Sequence, residues 1–230
     1  MAISVFLDLD DTILNFHRAE DAAIRRTLDA LELPQSDAIA ARYSAINAEQ
    51  WRRLERGEIT RDQVKTERFA MLFAELGVQR DTAKARDIYE TFLSQGHYFI
   101  PGAPELLEAL YGRYDLYLVS NGGGRVQSGR LDSAGIRRYF RGIFISEQMG
   151  VTKPSPAFFD ACFAAIPDFD RVQAVIVGDS LTSDILGGLR SGLRTVWFNP
   201  EHKPPRPDIP ADHEIHALAE LPPLLASIFR

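Results

Sequence analysis

The segment "SVFLDLDDTILNF", residues 4–16, is an apolar run interrupted by acidic and hydroxyl residues. Its apolar beginning is typical of a buried β-strand. The polar residues that follow are Asp8, Asp10, Asp11 and Thr12. Burying a carboxylate costs on the order of several kcal/mol unless it is paired or bound to a metal ion. The segment therefore predicts a strand whose end carries aspartates to a place where positive charge neutralises them.

Five short apolar runs recur along the chain and lack the alternation of polar and apolar residues that a half-exposed strand shows. They are residues 3–8, 116–120, 142–146, 174–179 and 194–198. Uninterrupted runs of this length are typical of strands buried on both faces of a parallel sheet. Amphipathic helical segments separate the later runs. This alternation predicts an α/β fold with a doubly wound, Rossmann-like parallel sheet.

Residues 16–99 differ from the rest of the chain because they carry helical periodicity nearly throughout and contain no strand-like run. Turn residues near Pro34 and Gly57 divide them into several helices. We therefore predict an α/β core domain formed by residues 1–15 and 100–230, with an inserted helical domain of residues 16–99.

The composition is that of an ordinary globular protein, with 45% hydrophobic and 25% charged residues in a chain of 230. A formal net charge of −6 offers no basic surface for a nucleic acid polymer. The one cysteine, Cys162, lies in an apolar helical stretch and is expected in the core, which fits a reducing compartment. Because neither a leader-like start nor a membrane-length apolar segment is present, we expect a cytoplasmic protein without a membrane partner.

Polar residues follow the predicted strands on the side where a doubly wound sheet binds its ligands. After the first, second and fourth runs these are Asp8, Asp10, Ser120, Asn121, Asp179 and Asp184, and Lys153 follows the third. Gathered carboxylates repel each other unless a cation lies among them, and ligation by oxygen alone indicates Mg²⁺ rather than zinc. The ammonium group of Lys153 suits a phosphoryl group. The sequence thus predicts a magnesium-dependent site for phosphoryl chemistry, in which one aspartate attacks and another moves a proton.

Each of these residues also has a purely structural explanation when it is taken alone. Asp10 could stabilise a turn, Asp179 could cap a helix, and Lys153 could be a surface lysine. A functional site accounts better for their joint occurrence, because the structural explanation needs several coincidences at one edge of the sheet.

Four motifs in order resemble those of haloacid dehalogenase-like (HAD) phosphohydrolases. They are "DLDDT" at residues 8–12, "LVSNG" at 118–122, Lys153 before Pro154, and "VGDSLTSD" at 177–184. The resemblance implies that Asp8 is the nucleophile and a Mg²⁺ ligand. It implies that Asp10 is the general acid and base, with a backbone carbonyl that binds the metal, and that Asp179 completes the metal ligands.

The same resemblance assigns the remaining polar residues to binding and support. Ser120, the backbone amide of Asn121 and Lys153 would hold the phosphoryl oxygens. Thr12 would support its loop, and Asp184 would orient Lys153 or a metal-bound water.

The helical insertion resembles the cap that closes over the substrate in this family. Within it, Trp51 and Arg53 are candidates for substrate recognition. The alternative is that they belong to a solvated helix face.

Residues 118–160 and 177–197 further resemble the noncanonical pyrimidine 5'-nucleotidases, which implies a pyrimidine nucleoside monophosphate as the small-molecule substrate. A phosphosugar phosphatase and a phosphoglucomutase-like enzyme share the same core residues and stay open as alternatives, as do a monomer and a homodimer. A phospho-receiver domain is disfavoured because it is much shorter and has no such insertion. A true haloacid dehalogenase would need neither Asp10 nor Asp179.

Overall fold

Residues 3–229 are described by a computed structural model, and within them six parallel strands form one sheet. In chain order the strands are β1 (Ser4–Leu7), β2 (Asp115–Ser120), β3 (Gly142–Ile145), β4 (Ala174–Gly178), β5 (Arg194–Phe198) and β6 (His213–Ile215). Their order across the sheet is β3-β2-β1-β4-β5-β6, and every neighbouring pair is parallel. The sheet therefore reverses its direction of growth beside β1, and a crevice for ligands is expected at the carboxyl ends of β1 and β4.

Helices cover both faces of the sheet, which explains why the strand runs are apolar without interruption. Val5 and Leu7 of β1 belong to one hydrophobic cluster, and Phe6 between them belongs to another that contains Phe158 and Cys162. The prediction that Cys162 is a core residue is confirmed. The predicted fold class, a doubly wound α/β sheet with helical additions, is also confirmed.

The helices bounded by the structure are α1 (Phe16–Ala30), α2 (Asp37–Glu55), α3 (Arg61–Glu75), α4 (Thr82–Leu93), α5 (Ala103–Leu110), α6 (Gly124–Ala134), α7 (Ser146–Met149), α8 (Pro156–Ala164), α9 (Leu186–Arg190) and α10 (Leu221–Ile228). The sequence pattern does not reveal β6, because a strand of three residues at the sheet edge is too short to show periodicity. The helical segment expected after β4 begins instead as a π-helical turn, Leu181–Ile185, which α9 continues. Gly188 lets α9 pack on the sheet, since a Cβ there would lie 2.4 Å from Ile176.

The chain divides into two compact units. One contains the described residues up to Phe16 together with the chain from His97 onward, and the other is His17–Gly96. The first unit carries the sheet and α5 to α10. The assignment of residues 16–99 as a functional cap stays a prediction.

The helical unit has an aromatic core and well-defined helix starts. The rings of Tyr43, Phe69 and Tyr89 lie 5.3–5.6 Å apart between centroids. Thr60 and Gln63 form a reciprocal capping box at the start of α3, which satisfies backbone donors that a helix cannot satisfy itself. These local signals explain why helices form here.

A buried polar network also lies within the helical unit. Glu20 is 3% exposed and accepts hydrogen bonds of 2.6 Å from both Ser44 and Asn47, and Asn47 in turn accepts one of 2.8 Å from Arg68. Burial raises the pKa of the Glu20 carboxyl, although the bonds from Ser44 and Asn47 oppose that shift.

Membrane-spanning helices are not found in the part of the chain that the structure describes.

Candidate active site

The loop after β1 presents Asp8 at the centre of the sheet edge. The Asp8 amide donates to the Val177 carbonyl of β4 at 3.0 Å, so the loop leaves the sheet in a fixed direction. Asp11 adopts a positive φ of 57°, a conformation that Asp tolerates better than most residues. Its Oδ1 accepts from the Phe16 amide at 2.8 Å. Asp11 therefore shapes the turn that leads into α1.

Thr12 joins the loop after β1 to the loop after β4. Its side chain is fully buried, and its Oγ1 accepts a hydrogen bond of 3.2 Å from the Asp179 amide. The Asp179 carbonyl accepts from the Trp197 indole at 2.9 Å. These two bonds hold the backbone of Asp179 from both sides. The supporting role of Thr12 in catalysis stays a prediction.

Three carboxylates converge where β1 and β4 end. Asp8, Asp179 and Asp184 each offer an oxygen, and these oxygens lie within 4.8 Å of one another. Asp8 and Asp184 are buried and Asp179 is partly exposed. The site thus contains two of the predicted metal ligands, Asp8 and Asp179. It also brings the Asp184 carboxylate closer to them than the sequence alone indicates.

Lys153 is buried among these carboxylates. Its Nζ donates to Asp8 Oδ1 and to Asp184 Oδ1, each at 2.6 Å, and to the Val119 carbonyl at 3.0 Å. An ammonium group has three N–H bonds, so all of them are used within the protein. Lys153 is 1% exposed, which excludes the alternative that it is an ordinary surface lysine.

Asp184 is held against the backbone at the end of β4. A Cβ on Gly178 would lie 2.2 Å from Asp184 Oδ2, so only glycine leaves room for this carboxylate. The same oxygen accepts from the Ser180 amide at 3.1 Å. Asp184 is therefore fixed in the orientation in which its other oxygen accepts from Lys153. That Asp184 orients Lys153 or a metal-bound water in catalysis stays a prediction.

The surrounding protein disfavours the ionised forms of two carboxyl groups, those of Asp8 and Asp179. Burial raises the pKa of Asp8 to about 8, and the charges of Asp184 and Asp10 add to the shift while Lys153 opposes it. Burial and the neighbouring charges of Asp8 and Asp184 also raise the pKa of Asp179 well above its ordinary value. Burial alone would lower the pKa of Lys153, but the charges of Asp184 and Asp8 raise it above its usual range.

The chemistry of this donor set fits a divalent cation. Four carboxylates of the site, those of Asp8, Asp10, Asp179 and Asp184, face two buried cationic side chains, Lys153 and Arg130. When all six groups are ionised, two negative charges are left without a counterion. A hard divalent cation such as Mg²⁺ would balance that charge and prefers oxygen ligands of this kind.

Asn121 ties the loop after β2 to Lys153 through its side chain. Its Nδ2 donates to the Lys153 carbonyl and its Oδ1 accepts from the Lys153 amide, both at 2.9 Å. Phosphoryl binding by the backbone amide of Asn121 stays a prediction. The side chain has a clear structural role, because it fixes the backbone that carries the lysine.

Asp10 is contacted by two residues of α6 that are absent from the predicted site, Gln127 and Arg130. Arg130, which is fully buried, forms an ion pair with Asp10 Oδ1, and Gln127 Nε2 donates to Asp10 Oδ2 at 2.5 Å. Gln127 also donates to Ser120 Oγ at 2.8 Å. In the sequence, Gln127 and Arg130 are two polar residues three positions apart, next to the apolar Val126 and Leu131. This pattern also occurs where the polar and apolar faces of an ordinary amphipathic helix meet.

Trp51 and Arg53 lie on α2 in the helical unit. The guanidinium of Arg61 lies 5.6 Å from the centre of the Trp51 ring. Arg53 donates to Gln50 at 3.1 Å and lies 3.6 Å from Glu58. These contacts are all internal to the unit, and recognition of substrate by either residue stays a prediction.

Comparison with known proteins finds a family model and relatives that match most of this chain. The family model described as haloacid dehalogenase-like hydrolase matches residues 4–192. The HAD-hydrolase YfnB of Bacillus subtilis is 41% identical over 95% of this chain and 93% of its own length. Two pyrimidine 5'-nucleotidases, PynA of Streptococcus pneumoniae and YjjG of Escherichia coli, are 34% and 31% identical over 94% and 96% of this chain, and over 92% and 96% of their own lengths. The predicted resemblance to this family and to its pyrimidine 5'-nucleotidases is confirmed.

The comparison with solved structures leads to the same family. A crystal structure of YfnB bound to magnesium matches with a TM-score of 0.93 and 40% identity, and the match covers 97% of this chain and 98% of that one. Several structures of haloacid dehalogenases also match, among them the L-2-haloacid dehalogenase of Xanthobacter autotrophicus with a TM-score of 0.77. That enzyme is 17% identical, covers 98% of this chain and 99% of its own, and shares the fold alone. The chain belongs to the haloacid dehalogenase-like hydrolase family.

Proposed function

We propose that this protein is a magnesium-dependent phosphomonoester hydrolase in which Asp8 attacks phosphorus. The observation that carries the proposal is the buried contact of Asp8 with Lys153 beside Asp179 and Asp184. The Asp8 carboxylate can act as a nucleophile, and it lies next to the fixed cation of Lys153 and a site for a metal ion. Two cations at this place would stabilise a dianionic phosphate ester.

The proposed reaction has two steps that share the same carboxylates. In the first, an Asp8 oxygen forms a bond to phosphorus, the ester P–O bond breaks, and the protonated Asp10 gives its proton to the leaving oxygen. In the second, Asp10 takes a proton from water as that water attacks phosphorus. The Asp8–phosphorus bond then breaks and inorganic phosphate leaves.

The phosphoryl group would be bound by donors that are already in place. Ser120 Oγ accepts hydrogen bonds from Gln127 and from the Gly122 amide, at 2.8 and 3.1 Å, which leaves its own proton available for donation. Lys153 has its three N–H bonds on protein acceptors, so it would exchange one of them for a phosphoryl oxygen. Mg²⁺, held by Asp8, Asp179 and the Asp10 carbonyl, would supply charge neutralisation at the phosphoryl oxygens.

The substrate class proposed is the pyrimidine nucleoside 5'-monophosphates. Support comes from PynA and YjjG, because both carry the name pyrimidine 5'-nucleotidase and align with nearly the whole chain, including the helical unit. This full-length agreement matters because the helical segment is where the sequence analysis expects substrate recognition.

A panel of phosphomonoesters tests this function. Purified protein would be incubated with pyrimidine and purine nucleoside monophosphates, hexose phosphates and 4-nitrophenyl phosphate, with Mg²⁺ and after exhaustive chelation. We expect phosphate release that depends on the metal and is fastest with pyrimidine nucleotides. Preference for hexose phosphates would favour a phosphosugar phosphatase, and isomerisation of a hexose phosphate without phosphate release would favour a mutase. Equal turnover after chelation would contradict the metal site.

A further inference from the structure

Gln127 and Arg130 of α6 form a connected pair beneath the loop that carries Asp10. Arg130 has no exposed surface, and its guanidinium pairs with Asp10 Oδ1. The same NH1 nitrogen lies 3.1 Å from Gln127 Oε1 and donates to it. Because arginine only donates hydrogen bonds, this contact determines which end of the Gln127 amide is the oxygen.

The fixed amide directs its NH₂ group at two groups of the proposed active site. Gln127 Nε2 donates to Asp10 Oδ2 at 2.5 Å and to Ser120 Oγ at 2.8 Å. Gly122 leaves the space that this arrangement needs, since a Cβ there would lie 2.3 Å from Gln127 Nε2. One side chain therefore joins the proposed acid and base to the proposed phosphoryl-binding hydroxyl.

We infer that Gln127 and Arg130 are positioning residues that set the Asp10 carboxylate and the Ser120 hydroxyl together. The inference rests on the proposed function, because it concerns the step in which Asp10 protonates the leaving oxygen. Each carboxylate oxygen of Asp10 accepts from one α6 donor and keeps a second lone pair for the transferred proton, so the carboxyl group cannot rotate freely about its bond to Cβ. The two donors on Ser120 likewise fix the direction in which its proton points.

A merely structural role for the pair predicts a different outcome from a positioning role. If α6 only needed a counterion for Arg130, then loss of either side chain would lower stability and slow all substrates alike. If the pair positions Asp10, then its loss slows most the substrates whose leaving oxygen needs a proton.

The test compares phenyl phosphate with 4-nitrophenyl phosphate, two esters of similar shape whose leaving groups differ in basicity. Gln127→Met keeps the length of the side chain and removes its hydrogen bonds. We expect kcat/KM of this variant to fall more on phenyl phosphate, by a further factor on the order of tenfold, as general acid catalysis is typically worth about 10²–10⁴-fold. Asp10→Asn should show the same selectivity more strongly.

Arg130→Met and Arg130→Lys provide the second arm. Arg130→Lys keeps the positive charge near Asp10, so it should recover part of the phenyl phosphate activity that Arg130→Met loses. The inhibition constant of inorganic phosphate reports on phosphoryl binding at Ser120. Gln127→Met should weaken this inhibition severalfold. An unchanged inhibition constant would contradict the link to Ser120.

Leu131→Ala is the matched control, because Leu131 is buried on the same helix in the hydrophobic core. This variant should have a lower unfolding midpoint, and its kcat/KM should change by the same factor on both esters. If wild-type protein is active on both esters and Gln127→Met also lowers kcat/KM by the same factor on each of them, the inference is overturned and the proposed function is left intact. Wild-type protein inactive on both esters with Mg²⁺ present would overturn the proposed function itself.

Discussion

Lys153 and Asp8, which lie 145 positions apart in the sequence, form a buried ion pair with 2.6 Å between Nζ and Oδ1. Neither side chain is more than 8% exposed. A buried ion pair of this kind is weak evidence for stability, because desolvation offsets much of the attraction. Its location at the ends of central strands favours a role in chemistry.

Metal binding should depend on Asp179 even when substrate is absent. Asp179→Asn removes one negative oxygen from the cluster, so we expect the affinity for Mg²⁺ to fall by at least about tenfold. Isothermal titration calorimetry of the protein with MgCl₂ measures this directly. Asp208→Asn, which alters an exposed ion pair with Arg206, is the control and should bind Mg²⁺ as the wild type does. Equal affinities for the two variants would remove Asp179 from the metal ligands.

Gly178 should be irreplaceable, although it contacts no substrate in the proposed mechanism. An added methyl group would displace Asp184, so Gly178→Ala should lose most activity and destabilise the fold by about 1–3 kcal/mol. Gly124→Ala is a matched change, because its methyl group would meet the flexible side chain of Gln148 at 3.1 Å. Activity assays and denaturant unfolding of both variants check the difference. Full activity of Gly178→Ala would show that the position of Asp184 is unimportant.

Glu20 should make stability depend on pH. Burial raises its pKa in the folded protein, so the folded state binds a proton more strongly than the unfolded state. Its contribution is fully present below the unfolded pKa and is lost as the pH rises through the folded pKa. The glutamine in Glu20→Gln stays neutral at every pH, so the variant does not lose this contribution. The unfolding midpoint of the variant minus that of the wild type should therefore increase from acidic to alkaline pH. A difference that stays constant with pH would show that the pKa of Glu20 is the same in the folded and unfolded states.

Trp51 and Arg53 should affect the choice of substrate without affecting the chemistry. Alanine at either position is expected to raise KM for a pyrimidine nucleoside monophosphate severalfold and to leave kcat on 4-nitrophenyl phosphate nearly unchanged. Steady-state measurements of kcat and KM with both substrates test this expectation. A large fall in kcat on both would assign the residues to the fold or the catalytic machinery, and no change on either would assign them to a solvated helix face.

The sequence predicts those parts of the fold and site that depend on local pattern. The runs that became β1, β2, β4 and β5 are apolar and uninterrupted because both faces of the sheet are covered. Asp8 is predictable because it directly follows β1, and Lys153 because it lies in the connection that leaves β3, while the carboxyl ends of parallel strands lie at one edge.

What the sequence does not reveal depends on contacts between distant side chains. The sequence pattern is typical of an exposed helical arginine at position 130, because the ion pair with Asp10 that helps to make its burial tolerable joins residues 120 positions apart. The close approach of Asp184 to Gly178 depends on a π-helical turn that has no distinctive pattern. Strand β6 is too short to be recognised.

The covalent intermediate that we propose on Asp8 can be tested for directly. Enzyme turning over a nucleoside monophosphate with Mg²⁺ would be quenched in acid and treated with borohydride, which reduces an aspartyl phosphate to homoserine. Mass spectrometry of the N-terminal peptide should then find homoserine at position 8 in wild-type protein, and none without substrate or in the inactive Asp8→Asn variant. Homoserine at another aspartate, or an unmodified Asp8 during active turnover, would contradict the assignment of Asp8 as the nucleophile.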